Sequence, residues 1–175
     1  MPPVVVTRPG DPTPLDMRPM LASDSAYFRA HPLMVPVEGG EPSDLTDTYH
    51  AARSGGRIHM ATDIMAMRGT PVLAATNGRI IKLANSGAGG IGLYIADASG
   101  RYVQYYAHLM GYGPNVKEGL AVREGDVIGF VGTTGNASPD APHLHFQVMR
   151  SDGNYWNGTP LDVRAFITRP GRMRN

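Results

Sequence analysis

The sequence predicts a mainly β protein, an antiparallel β-sheet core with a few short helices. Three observations predict it. Gly (22) and Pro (15) are abundant, which suits strands and turns better than a helical bundle. From residue 56 onward, short apolar runs alternate with turn residues. One run, RYVQYYAHL at 101–109, has period two, with Tyr102, Gln104 and Tyr106 on one face and Val103, Tyr105 and Ala107 on the other.

The elements follow in chain order. Nine of the 15 prolines lie between Pro2 and Pro42, so the first part of the chain reads as an extended arm. Within it, residues 23–30 predict a short capped helix, stopped before Pro32. Residues 44–53 (DLTDTYHAAR) predict a second helix, ended by Gly55 and Gly56. PVLAAT (71–76) and GRIIKLA (78–84) meet at Asn77-Gly78, which signals a hairpin. IGLYIAD (91–97) and the 101–109 run flank Ala98-Ser99-Gly100, a second hairpin signal. VIGFVG (127–132) and HLHFQVMR (143–150) predict two more strands, and LDVRAFI (161–167) a short closing helix. Tyr155 and Trp156 are expected to pack the C-terminal segment.

Composition narrows the function. At roughly 150 residues per domain, 175 residues favour one domain with an extra arm. A net charge of +1 gives no electrostatic case for nucleic acid as a partner. No apolar run approaches the roughly 18 residues of a membrane span, and MPPVVVTRPGD has no apolar stretch that reads as a signal peptide. There is no Cys, so any metal must be held by His and carboxylate.

Four of the six His fall in three short segments: His59 with Asp63 in GGRIHMATD, His108 closing RYVQYYAHL, and His143 with His145 in APHLHF. On a strand, His143 and His145 point to one face, about 7 Å apart, and can address one small site. Alone, that pair reads equally as two polar strand residues. His59 and Asp63 are four apart, on one side of a helical turn or a strand; alone, they read as a capping or surface pair. Together the segments are stronger. A hydrolytic zinc site needs three protein ligands, an open position and a nearby acid or base, and two His with one Asp could supply the ligands. His31, beside Pro32, and His50 are read as lying outside such a site. Tyr102, Tyr105 and Tyr106 are open between sheet surface, core and substrate contact.

The set resembles the lysostaphin/LytM-type zinc endopeptidases, which cut peptide bonds in bacterial peptidoglycan. That family carries H-x-x-x-D, then Y-x-H-L, then H-x-H before Phe, and this chain has HMATD, YAHL and PHLHF in that order. TPVLAATNGRI and VREGDVIGFVGTTGNAS also match, so the resemblance covers about residues 55–150. It implies a LytM-like, barrel-sandwich-like β domain over 43–170, after a Pro-rich arm or linker at 1–42 and before a tail at 171–175. It implies one Zn²⁺ held by His59, Asp63 and His145, with His108 and His143 as the catalytic pair. The implied partner is a peptidoglycan peptide, met in the periplasm or outside the cell. Ala61 and Gln147 stand where the family often has Gly and Glu.

Two other readings compete. A non-catalytic wall-binding regulator of the same type would have lost ligands, and all five residues are present here. A lipoyl-like carrier would match VREGDVIGFVG, but needs a Lys at an exposed turn; Lys82 and Lys117 lack the flanking pattern.

Overall fold

The computed structural model describes residues 20–155 and 157–175. The Pro-rich run over 2–19 and Trp156 lie outside them. In chain order, α1 (Ala22–Ala30) and β1 (Leu33–Met34) precede β2 (Thr62–Met65), β3 (Pro71–Leu73), β4 (Gly78–Ser86), β5 (Gly90–Asp97) and β6 (Tyr102–Tyr112). β7 (Ala121–Val122), β8 (Val127–Val131), β9 (His143–Arg150), β10 (Thr159–Leu161) and β11 (Ile167–Arg169) complete the order. Strands β2 to β10 form one antiparallel sheet, in which β10, β9, β6, β5, β4 and β7 are successive neighbours. β2 shares an edge of β9 with β10, and β3 joins through β8, which pairs with β6. The mainly β, antiparallel expectation therefore holds.

The period-two reading of β6 separates core from cleft. Tyr106 and Gln104 are buried, and the Tyr106 hydroxyl donates to Gln104 at 2.6 Å while accepting the Ala75 amide at 3.0 Å. Tyr106 joins Ile80, Leu93, Ile95, Ile128, Leu144 and Phe146 in the core. Tyr105 and Ala107, on the other face, line a cleft. Each fully buried aliphatic or aromatic side chain contributes roughly 1.5–3 kcal/mol through removal from water.

Residues 20–42 close over the core. Phe28 of α1 is 2% exposed and packs on Tyr102 with ring centroids 4.7 Å apart. The Asp24 carboxylate accepts the Leu21 amide at 3.0 Å, the Tyr102 hydroxyl at 2.9 Å and the Arg150 guanidinium at 2.5 and 3.1 Å. His31 stacks on Tyr27 and is not among the residues lining the cleft. β1 pairs in parallel with β11, and the Val35 amide donates to the Arg169 carbonyl at 2.9 Å.

Three sequence expectations differ from the structure. Residues 44–53 form no α-helix; a 3₁₀ turn at Pro42–Asp44 leads into irregular chain with a turn at 49–50, where the Ala51 amide donates to the Thr48 carbonyl at 3.1 Å. Its carbonyls are engaged elsewhere: Ala51 accepts the His59 amide at 2.9 Å and Tyr49 the Met60 amide at 2.8 Å. Asn77-Gly78 does not close a hairpin, because β3 pairs with β8 and β4 with β5. The Asn77 amide oxygen instead accepts the Glu124 amide at 2.9 Å, tying two loops together. At 161–167 there is only a 3₁₀ turn, Arg164–Phe166, since Leu161 already belongs to β10 and Ile167 to β11. The hairpin at 98–100 forms as expected, between β5 and β6.

Candidate active site

β9 lies between β2 and β6, and that placement gathers the site. Asp63 of β2 sits directly opposite His145, and Ala107 of β6 faces His145 from the other side. His143 and His145, two apart on β9, share the cleft face. His108 follows Ala107, with its ring centroid 4.9 Å from that of His143. His59 arrives from the loop before β2, its ring centroid 4.9 Å from that of His145.

Backbone carbonyls orient three of the imidazoles. His59 Nδ1 lies 2.8 Å from the Thr48 carbonyl, His108 Nδ1 2.8 Å from the Thr134 carbonyl, and His143 Nδ1 2.9 Å from the Ala141 carbonyl. A carbonyl oxygen has no hydrogen to give, so each Nδ1 carries the proton and each neutral ring keeps its lone pair on Nε2. Thr48 serves twice more. Its hydroxyl accepts the Asp63 amide at 2.8 Å and donates to the Ala61 carbonyl at 3.1 Å. Gln147, standing where a Glu was the family expectation, donates its amide to the Met60 carbonyl at 3.1 Å. A carboxylate could not make that bond.

The shelf under His108 requires a glycine. Gly135 has φ +73°, and a Cβ there would lie 2.3 Å from the Ala88 carbonyl oxygen. Only glycine lets the 132–136 and 86–90 loops approach closely enough for Gly89 to accept the His108 amide and Thr134 to accept its ring. His108 itself has φ +60° and Met60 φ +57°, sparsely populated values for residues with a Cβ.

Three ligand atoms converge. His59 Nε2 lies 3.0 Å from Asp63 Oδ1 and 3.0 Å from His145 Nδ1, and His145 Nδ1 lies 3.3 Å from the same Asp63 oxygen. These residues form a gathering in which the donor atoms all lie within 4.8 Å of one another. His59 Nε2 has no hydrogen, so at most one hydrogen, on His145, serves three lone-pair atoms. Asp63 Oδ1 is buried and accepts no well-directed hydrogen bond. Such a set is short of positive charge, and its two imidazoles and one carboxylate suit zinc. A second gathering, Asp47, His50 and Asp162, lies largely exposed on the surface, where His50 already pairs with Asp47 at 3.1 Å.

Electrostatics follow from burial. Burial pushes the Asp63 carboxyl up, but the adjoining His145 and His59 rings outweigh it and hold it well below the usual range. Burial pushes His108 down to about 4, against the opposing effect of the Thr134 carbonyl, so this ring is neutral at pH 7. Burial also lowers His145, outweighing the attraction of Asp63. The cleft has a volume of about 490 Å³.

All five residues singled out in the sequence thus border one cleft. Sequence reading missed Thr48, Thr134 and Arg53. Arg53 donates to Asp63 Oδ2 at 3.2 Å, on the side of the carboxylate away from the His59 contact. No motif marks these residues, and two of them act through main-chain carbonyls that every residue possesses.

Fold and site define a metallopeptidase-type β domain. The model of Peptidase family M23 matches residues 57–163, and the chain belongs to that family. Among curated proteins it is 40% identical to lysostaphin of Staphylococcus staphylolyticus over 119 residues, which is 66% of this chain and 23% of that protein. It is 36% identical to the L-Ala--D-Glu endopeptidase of Bacillus subtilis (strain 168) over 112 residues, 61% of this chain and 34% of that protein. The chain thus spans about a quarter to a third of the length of these relatives. Its fold matches the catalytic domain of lysostaphin from Staphylococcus simulans, with TM-score 0.62, 34% identity, and coverage of 70% of this chain and 90% of that one.

Proposed function

We propose that this protein is a zinc-dependent endopeptidase that hydrolyses peptide bonds of bacterial peptidoglycan, outside the cytoplasm, in the periplasm or at the cell exterior. The observation that carries the reading is that the cluster of His59, Asp63 and His145 opens into the same cleft as two further imidazoles, His108 and His143. Membership of Peptidase family M23 supports it. Among the described residues, no helix is long and apolar enough to cross a membrane.

His59, Asp63 and His145 would hold the zinc. The chemistry supplied by a bound zinc would be that of a Lewis acid, which makes water a nucleophile near neutral pH and polarises a carbonyl. The chain's own residues supply the rest. His108, neutral and fixed by Thr134, presents a bare Nε2 to accept the proton of the attacking water. His143, fixed by Ala141, presents the second Nε2. Once protonated, an imidazole of this pair donates N–H to the developing oxyanion or to the leaving amine. Tyr105, with its ring centroid 5.9 Å from His145, walls the cleft beside them.

The test is digestion of purified peptidoglycan by the zinc-loaded protein, read by mass spectrometry of the soluble peptides. New amine termini at one defined bond are expected, abolished by a strong chelator and restored by zinc. Intact peptidoglycan, or cleavage untouched by the chelator, would overturn the reading.

A further inference from the structure

Resting on the peptidase reading, we propose that Arg53 is a positioning residue: it turns the Asp63 carboxylate so that Oδ1 alone faces the zinc position, which leaves a place there for the attacking water. Strand register aims Asp63 into the cleft opposite His145, and the Thr48 hydroxyl holds its amide at 2.8 Å. Neither contact sets the rotation of the carboxylate plane, because the terminal torsion of an Asp side chain has a broad, roughly two-fold preference. The two oxygens nevertheless have different surroundings. Oδ1 is buried and lies 3.0 Å from His59 Nε2 and 3.3 Å from His145 Nδ1. Oδ2 accepts a hydrogen bond from Arg53 Nη2 at 3.2 Å, and among the described residues no other hydrogen bond reaches it.

Arg53 is itself fixed by backbone that it shares with a ligand. Its amide donates to the Arg57 carbonyl at 2.9 Å, Ala52 and Ile58 form a bridge, and the His59 amide donates to the Ala51 carbonyl at 2.9 Å. Residues 51–53 and 57–59 thus form a short antiparallel ribbon that ends in His59, its arms joined by the turn Ser54–Gly56. One ribbon therefore delivers a ligand, His59, and the guanidinium that turns a second ligand, Asp63. A carboxylate can give a cation one oxygen or two. With one oxygen from Asp63, the three protein ligands leave one of zinc's four positions for water; a second oxygen would compete for it. A charge-assisted bond from the guanidinium engages Oδ2 and holds it aside. The Arg53 side chain is 43% exposed, so the pair adds little to the stability of the fold, and its contribution is orientation.

The experiment compares the unaltered protein with Arg53→Met, Arg53→Ala and Arg53→Lys, with thermal unfolding to confirm that each variant folds. Zinc affinity is measured by competition with a chelator, and kcat and KM on a cross-linked stem-peptide dimer. Infrared difference spectra, zinc-loaded minus apo, report the carboxylate directly: one-oxygen ligation sets the antisymmetric and symmetric stretches far apart, and two-oxygen ligation narrows the gap. The gap should be wide in the unaltered protein and in Arg53→Lys, and narrow in Arg53→Met and Arg53→Ala. In those two variants kcat should fall about tenfold with KM unchanged, while zinc affinity holds or rises, because a second oxygen is gained and a nearby positive charge is lost. Arg53→Lys should recover most of kcat. A wide gap in Arg53→Met and Arg53→Ala, an undiminished kcat, or zinc affinity that falls along with kcat would overturn the role of Arg53 and leave the peptidase reading standing. A narrowed gap in the variants, with no cleavage of the dimer or of peptidoglycan by the unaltered protein, would overturn the peptidase reading and leave the orientation of Asp63 by Arg53 standing.

Discussion

The two sides of the site are held in different ways. Asp63, His143 and His145 are held by strand register: β2 and β9 place Asp63 opposite His145, and the pleat aims His143 and His145 to one side. His59 comes from the loop before β2 and His108 from a positive-φ break within β6, and each ring is fixed by one carbonyl from another segment, Thr48 or Thr134. The strand side distributes its positioning over a ladder of hydrogen bonds. The other pair concentrates it in a few contacts, where His108 itself and Met60, beside His59, have positive φ. Register therefore chooses the face a side chain takes, while a carbonyl acceptor fixes the ring, as Ala141 does for His143; off the regular ladder the acceptors carry more of the positioning.

Four substitutions test that contrast. The largest effect is expected on the strand side, where His145→Ala removes a proposed ligand from the centre of the cluster. Zinc content should fall to background and peptidoglycan cleavage should stop; full zinc occupancy in that variant would remove His145 from the ligand set. At the break in β6, His108→Ala should keep its zinc and lose about 10²–10⁴-fold in rate, as expected for loss of an acid–base group. Metal analysis beside kinetics separates the two outcomes, and an active, zinc-loaded His108→Ala would end its assignment.

A smaller effect is expected from Thr48→Val. The variant keeps the carbonyl that orients His59 but loses the hydroxyl that accepts the Asp63 amide. Zinc affinity, measured by competition with a chelator, should weaken about 10–100-fold, the usual range for a partner of a metal ligand. Thr48→Ser should restore it. If Thr48→Val binds zinc normally, the strand ladder alone positions Asp63 and the contrast sharpens further.

The smallest effect on the reaction is expected at Asp24, on the far side of the sheet. Burial pushes its carboxyl up, but the hydrogen bonds from Arg150 and Tyr102 outweigh that and leave it below its ordinary value. A carboxyl lowered in the folded state stabilises the fold fully above its unfolded value of about 3.9, and that contribution is lost as pH falls through the lower folded value. Asp24→Asn should cost about 2–3 kcal/mol at pH 7, because it leaves the Arg150 charge unpaired. Its stability should also fall less steeply than that of the unaltered protein below pH 4. Denaturant titrations at pH 7 and pH 3 check both, and zinc content should not change.

The contrast also explains what the sequence revealed. The His143/His145 pair and the Tyr102–Ala107 alternation were legible because strand geometry turns spacing into direction. The hairpin at 98–100 was legible because its two strands pair with each other. Asn77-Gly78 misled because the same dipeptide suits a turn whose strands separate to different neighbours, and Asn77 spends its side chain on Glu124. The 44–53 stretch misled because its local composition permits a helix, while long-range pairing with the segment bearing His59 claims its carbonyls. Thr48 and Thr134 could not be found from sequence, since the acceptors they supply to His59 and His108 are main-chain atoms.

The pairing of β1 with β11 also governs when the fold can be completed. Leu33, Val35 and Val37 are at most 2% exposed in the finished molecule, yet the Val35 amide meets its acceptor only at Arg169. During synthesis at roughly 5–20 residues per second, on the order of ten seconds separate the emergence of these partners. Throughout that interval an apolar segment lacks its companion strand. It is then a surface for chaperones, and equally for misassociation with another nascent chain.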